Sequence, residues 1–482
     1  MSEVLDIASL NLPALPIGWH YKAVSEIGAT GEQPVLTGPF GTNLGRADFV
    51  ESGVPLLTIG CLTQGGINLE KALFVSEEKA KELSRYRLKE GDLLFSRMAS
   101  VGRAGLVPKW LEGALFNYHI MRLRLDVARI DTRLFINYVR GAKQVRDYLK
   151  AVNHGATRDG INTEQLLGLP VAVPPLAEQH EIVAEIEKQF SRLDEAVANL
   201  QRVKANLKRY KASILKAAVE GRLVETEVTQ AHREGRTYET GEQLLQRILE
   251  ERKENGKGKR VAVMRPDVDD VYASPDGWVW STCDAAIDFI GAGASFKCDE
   301  RPPAQDEIGV LKVSALSWGT YDEAESKTCT DIGRVEEKFL VRDGDFLFSR
   351  ANTIELVGAC VIVGKTTKQL MLSDKTLRFQ LNTRVLPAWL QICLRCKFGR
   401  YEIERLATGN QESMRNIGQD RIRQIRMPLP PFAEQVRIVA EVDRHLSIVR
   451  EVEAEVDTNL KRAQALRQSK LRSVFSLPKC KL

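Results

Sequence analysis

The sequence predicts an α/β (α+β) protein built by duplication: two mixed α/β globular segments and two long coiled-coil helices, related by a pseudo-two-fold. Three observations carry this. A long amphipathic stretch occurs twice, a Gly-Asp turn feeding a short apolar run occurs twice, and a Pro…Gly-Trp opening occurs twice.

The first amphipathic stretch runs from Pro174 to Gly221. Its apolar and aromatic positions step by three and four residues from Ile182 and Ile186 through Phe190, Leu193, Val197, Leu200, Val203, Leu207 and Tyr210 to Ile214, the spacing of one face of a helix. At 1.5 Å per residue, a helix of roughly 44 residues is about 65 Å long. Pro174 and Pro175 punctuate its start, Glu178 and Glu181 suit the positive end of the helix dipole, and Gly221 is a C-terminal stop. The second stretch, Pro430 to Ser476, repeats this register 256 residues on (174 to 430), matching Glu178 with Glu434, Ile182 with Ile438 and Glu185 with Glu441. That interval is far longer than a solenoid period, so it marks a duplicated half-protein. Both apolar stripes need burial and the nearest partner of each is the other, which predicts one antiparallel pair within the chain.

In chain order, residues 1–173 form the first globular segment, with Met1 to Leu12 a loose lead-in and the fold beginning near Leu15-Pro16-Ile17-Gly18-Trp19. The second, 267–429, opens correspondingly at Pro275-Asp276-Gly277-Trp278. A strand at Val54 to Ile59 is answered by Val310 to Val313. The turn and strand of Gly91-Asp92-Leu93-Leu94-Phe95-Ser96-Arg97 return as Gly344-Asp345-Phe346-Leu347-Phe348-Ser349-Arg350. Asp131 to Val152 has helical spacing with Asp131 as cap, and Pro387 to Leu406 opens its counterpart with proline. Each segment then crosses a polar loop, His154 to Gly160 and Thr408 to Ser413, before a short apolar strand leads to Pro-Pro and a long helix. The helices occupy 174–223 and 430–482. Between the halves, 224–266 is a charged linker with a helix at Glu242 to Glu254 and a basic tether at Asn255 to Arg260.

The 482 residues are 43% hydrophobic and 28% charged, enough for two or more globular domains. The net charge of +5 excludes a polycation, so any nucleic-acid surface must be local. Eight irregularly placed cysteines and no secretory signal or long apolar run point to a reducing cytoplasm and no membrane. Cys393 and Cys396 lack a second pair at zinc spacing and read as buried small residues on a helix.

Catalytic patterns are missing. Gly358 to Thr366 has five residues between its glycines where a phosphate-binding loop needs four, so it reads as strand and turn. The three Pro-Pro pairs lack the Asp or Asn that amino-methyltransferases place before them. Gly291-Ala292-Gly293-Ala294 lacks the third glycine and following helix of a dinucleotide or methyl-donor loop. Six scattered histidines suggest neither a metal pair nor a triad. No residue is assigned to catalysis or to a metal, and a self-sufficient methyltransferase or nuclease is disfavoured.

Binding remains. Duplicated domains joined by rods suit a ligand with two marks at fixed separation, and DNA groove edges carry sequence at helical intervals. In the first half the residues suited to base edges and phosphates are Thr42, Asn43, Arg46, Arg97, Arg103, Thr157 and Arg158. In the second they are Lys297, Arg350, Asn352, Asn410, Gln411 and Arg415. A coiled-coil scaffold without DNA specificity is the alternative, and it leaves the duplicated globular segments unexplained.

The repeated Pro-Pro-Leu/Phe-Ala-Glu-Gln…Ile-Val-Ala-Glu helix, the Gly-Asp-x-Leu-Phe-Ser-Arg turns and Gly38-Pro39-Phe40-Gly41 resemble the specificity subunit of Type I restriction–modification systems. The resemblance implies two target-recognition domains, each reading half of an asymmetric bipartite DNA site, with the long helices as an antiparallel spacer. It implies a non-catalytic, DNA-binding subunit that binds no cofactor itself and serves host defence in a bacterial or archaeal cytoplasm. Its partners would be two modification subunits, which use S-adenosylmethionine to methylate adenine, and restriction subunits, which use ATP and Mg²⁺. The second domain lacks an equivalent of Gly-Pro-Phe-Gly and has Gly291 to Phe296 nearby.

Overall fold

Each amphipathic stretch forms a single helix, Leu176–Val219 and Phe432–Val474, of 44 and 43 residues. The computed structural model describes residues 10–40, 43–63, 66–98, 102–153, 160–254, 274–411 and 414–476. It divides into two compact units, Met1–Gln201 with Asp457–Leu482, and Arg202–Val456, so each unit holds one part of each long helix. The linker tether, Asn255 to Arg260, lies outside the described residues.

In the first unit the start of the first long helix (Ile182, Val183, Ile186) shares a core with the end of the second (Leu471, Phe475). In the second unit Ile214, Leu215 and Ala218 share a core with Ile438, Val442 and Leu446. Start packs with end in both, which is antiparallel pairing. Arg467 bridges Asp194 at 2.6 Å in the first unit, and Lys211 bridges Glu453 at 2.6 Å in the second. The expectation of fully buried stripes needs correction. Leu193, Val197, Leu200 and Leu207 are half-buried, and Val203, Tyr210 and Leu466 are exposed. Val449, Val456 and Ala463 are buried without belonging to a domain core, but two helices alone cover only a narrow seam, and the wider stripe is buried where a globular domain adds a third surface. Gly221 ends the first long helix at φ +64°, a left-handed turn in which Arg222 N–H reaches the Ala217 carbonyl at 2.9 Å.

The globular parts repeat strand for strand. The first unit has an antiparallel sheet in the order Val35–Thr37, Ile120–Leu123, Leu93–Ser96, Ala104–Leu106. The second answers with Ile287–Ala292, Thr376–Leu381, Phe346–Ser349, Cys360–Ile362. A smaller mixed sheet runs Leu115–Phe116, Val54–Leu57, Leu73–Val75, Phe49–Val50. Its counterpart runs Leu370–Met371, Gly309–Leu311, Ser326–Cys329, Cys298–Asp299, and the first pair is parallel in both. The opening strand of each domain pairs antiparallel with the strand that leads into the long helix, His20–Ala23 with Pro170–Val173 and Val279–Thr282 with Arg426–Leu429.

The repeated Ala-Glu-Gln motif is structural. Trp19 Nε1 donates to Glu178 at 3.0 and 3.1 Å, and Trp278 Nε1 to Glu434 at 2.9 Å. Gln179 Oε1 accepts the N–H of the helix cap Asp131 at 2.8 Å, and Gln435 Oε1 that of the cap Leu386 at 3.0 Å. Each glutamine amide also returns to a proline carbonyl of its own Pro-Pro pair. These satisfied polar groups, buried at Gln179, Glu434 and Gln435 and half-buried at Glu178, fix where a domain meets its helix.

The predicted helix Asp131 to Val152 is two helices, Thr132–Gly141 and Lys143–Asn153, and Pro387 to Leu406 is likewise Pro387–Arg395 and Lys397–Leu406. At each break the joining residue is extended, Ala142 at ψ 134° and Cys396 at ψ 163°. Cys393 is buried on the first of these helices while Cys396, expected on a helix, is the buried cap between the two, and burial pushes both thiols up. The linker helix Gly241–Glu254 adds Leu244, Leu245 and Ile248 to the second core, and a further helix, Glu227–Glu234, precedes it. Gly358 to Thr366 holds the strand Cys360–Ile362, as read from sequence.

Candidate nucleic-acid interface

In each domain the central strand ends in a serine followed by an arginine, and the chain around that arginine is tied down identically. Arg97 N–H donates to the His119 carbonyl at 3.1 Å, and its carbonyl accepts from Ile161 N–H at 2.9 Å. Arg350 N–H donates to the Lys375 carbonyl, and its carbonyl accepts from Ile417 N–H, both at 2.9 Å. Ile161 and Ile417 are buried. A bridge then joins Met98 to Gly160 in the first domain and Ala351 to Asn416 in the second. This node brings the end of the polar loop beside the strand-end arginine, although roughly 60 residues separate them in sequence.

In the second domain the node extends into a small sheet, Ala351–Asn352, Met414–Asn416 and Thr408–Gln411. Asn352 and Arg415 are direct cross-strand partners. Asn410 and Gln411 belong to the third strand, and Arg350 Nε contacts Asn416 Oδ1 at 3.5 Å. Five of the six residues predicted for this half are therefore brought together. Lys297 is not. It lies exposed by the smaller sheet, where its carbonyl accepts from Thr330 N–H and Oγ1 at 2.9 and 3.0 Å.

In the first domain Arg97 and Arg103 flank Ser96, whose Oγ accepts Arg103 N–H at 3.0 Å. Asn43 and Arg46 are exposed on the loop after Phe40. Thr42, Thr157 and Arg158 lie outside the described residues. Among the described residues, Arg46, Arg97, Arg103, Lys297, Arg350 and Arg415 make no ion pair, in contrast to Arg124, which Asp92 holds at 2.6 Å. A cation free of carboxylates is available to a phosphate or a base edge.

The glycine of Gly-Pro-Phe-Gly has a counterpart after all. A Cβ on Gly38 would lie 2.3 Å from the Asn117 carbonyl oxygen, and one on Gly293 2.2 Å from that of Ser373. Gly38 N–H reaches the Ile120 carbonyl at 3.2 Å, and Gly293 N–H reaches that of Thr376 at 3.1 Å. The equivalence is hidden in sequence because its interval is 255 residues (38 to 293), one short of the helix repeat.

Sequence reasoning missed Tyr118 and His119 and used Phe40 only as part of a motif. Phe40 is 55% exposed and stacks on Tyr118 at 5.8 Å, and Tyr118 lies against His119 at 3.9 Å. Burial, with the nearby Arg97 charge, lowers the His119 pKa and so favours its neutral ring. Among the described residues no group of three or more His, Cys, Asp or Glu is placed to hold a metal, and no helix is long and apolar enough to cross a membrane.

Residues 41–209 match the family model of the Type I restriction modification DNA specificity domain. That match covers about a third of the chain and agrees with the resemblance read from the repeated motifs. Over 270 residues the chain is 30% identical to the Type I restriction enzyme EcoEI specificity subunit of Escherichia coli, covering 54% of this chain and 44% of that protein. It is 22% identical over 345 residues to the EcoKI specificity subunit of Escherichia coli strain K12, covering 71% and 64%. The matches thus span about half to two thirds of those relatives' lengths. A solved chain from work on assembly and conformational transition of the type I R-M system superposes with a TM-score of 0.57 at 16% identity, covering 97% of this chain and all of that one. At that identity it speaks for the fold, mixed α/β domains with long helices.

Proposed function

We propose that this chain is the DNA-sequence-recognition subunit of a Type I restriction–modification complex, with each domain reading one half of an asymmetric bipartite site. The duplicated arginine node supports this most directly. Arg97 and Arg350 share one backbone setting but stand among different side chains, as two readers of unlike sequences require. The cations supply phosphate attraction and register, while Asn43 in one domain and Asn352 and Gln411 in the other have the donors and acceptors to read base edges. The long helices hold the half-sites apart and dock two modification subunits. S-adenosylmethionine, ATP and Mg²⁺ act in the modification and restriction subunits. A scaffold without DNA specificity would give no reason for carboxylate-free arginines at matching nodes of two domains.

Removing one phosphate contact should weaken binding to all sequences alike and reduce the slope of log affinity against log salt by about 0.9. Arg97→Ala and Arg350→Ala are each expected to do so. Anisotropy titrations across a salt series measure it, and unaltered slopes in both variants would place neither arginine on the DNA backbone. The isolated chain is further expected to neither methylate nor cleave DNA. Transfer of a labelled methyl group by the homogeneous polypeptide would refute that division of labour.

A further inference from the structure

Phe40 is an exposed aromatic on a fixed backbone. Gly38, two residues before it, is held by the Ile120 carbonyl. The Phe40 carbonyl itself accepts from Asn43 N–H at 2.8 Å and Leu44 N–H at 3.2 Å, and Leu44 is buried. Despite this anchoring, more than half of the Phe40 surface faces solvent. Tyr118, on which it stacks, is itself 37% exposed. The row Phe40, Tyr118, His119 ends at Arg97, whose N–H is bound by the His119 carbonyl and whose Nε is buried with no hydrogen-bond partner among the described residues. Three rings in contact next to a carboxylate-free cation match a duplex surface, where an apolar base edge lies a few ångströms from a phosphate.

The second domain lacks this row. Past its equivalent glycine, Phe296 packs edge-on against Phe339 at 5.6 Å, with the Arg334 guanidinium 5.5 Å from its ring centre. Asp374 and Lys375 stand where the first domain has Tyr118 and His119. An exposed aromatic just past this glycine, stacked on a second ring, is therefore a property of the first reader, whereas the exposed Phe289 and Tyr401 of the second lie elsewhere.

We infer that the Phe40–Tyr118 stack is an apolar base contact of the first domain, taking the 5-methyl group of a thymine in its half-site while Arg97 beside it holds a phosphate. The inference rests on the DNA-recognition reading above. An apolar ring forms no hydrogen bond to a base and displaces no counterion, so it reads thymine through the methyl group alone and leaves the salt dependence untouched.

The test uses the full chain co-expressed with its modification subunit, with the recognised motif first mapped by adenine methylation. Each thymine of the half-site assigned to residues 15–170 is replaced by uracil in turn. One replacement should weaken wild-type binding about fourfold, the value of a single methyl group withdrawn from water. In Phe40→Ala the affinity for the thymine duplex should fall by at least as much, the same uracil should cost nothing further, and the salt slope should equal that of wild type. Thermal unfolding confirms that the variant is folded. Tyr118→Ala, another exposed position, serves as the second variant and should give the same loss of uracil sensitivity. The inference is overturned if both variants bind as tightly as wild type, if they still discriminate thymine from uracil, or if the half-site contains only G·C pairs. In those cases a reduced slope in Arg97→Ala would leave DNA recognition standing. If wild type itself shows no sequence preference, the wider reading fails instead.

Discussion

Replacing Ile186 by aspartate should cost the first unit about 3–5 kcal/mol, the penalty of an uncompensated charge in a closed core. Ile186 is 4% exposed and shares its core with Ile182, Val183, Leu471 and Phe475. Leu446→Asp should act likewise on the second unit, where Leu446 shares a core with Ile214, Ala218, Val442 and the tryptophans Trp278 and Trp389. For units of this size each kcal/mol lowers the melting temperature by roughly 2–4 °C, so a drop on the order of 10 °C is expected. Val203→Asp and Leu466→Asp lie on the same helices at 39% and 49% exposure, and should change stability by less than about 0.5 kcal/mol. Differential scanning calorimetry of the four variants separates the cases. Equal effects at all four positions would mean that packing against a domain does not set Ile186 and Leu446 apart from Val203 and Leu466.

The same contrast shows what could be read without coordinates. Helix period survives in sequence because burial selects apolar residues every three or four positions. Both long helices were therefore legible to within a few residues, as was the capping role of Asp131, whose side chain accepts Arg133 N–H at 2.8 Å. The breaks at Ala142 and Cys396 were not legible, since the apolar spacing continues across both. Close packing bears on them: a Cβ on Gly141 would approach Leu471 at 2.8 Å, and one on Gly399 the Cys393 carbonyl at 2.0 Å. The interface was half legible. Residues sharing one loop or strand end, such as Arg350, Asn352 and Arg415, could be grouped by the repeat. Lys297 could not be separated from them, because only strand pairing puts it on the other sheet. The aromatic row was invisible, since Phe40 and Tyr118 meet across 78 positions (40 to 118) with no local pattern.

The largest functional effect is expected from exchanging one reader. Substituting residues 15–170 with the corresponding domain of a relative should replace one half of the methylated motif and leave the other half unchanged. Each domain has its own sheets and core, and among the described residues no core cluster contains residues from both domains. The exchange succeeds only if the incoming domain meets the retained helix as the native one does. It must supply an indole for Glu178, as Trp19 does, and a helix-cap N–H for Gln179, as Asp131 does. It must also supply an opening strand that pairs with the retained residues 171–173, which now face Lys22, Tyr21 and His20 in that order. A graft lacking the indole would leave a carboxylate without its donor and lose stability before specificity could be read. With those contacts kept, single-molecule mapping of methylated adenines should show one new half-site beside the old one. Simultaneous change of both halves, or persistence of the original motif, would show that the two domains do not read DNA independently.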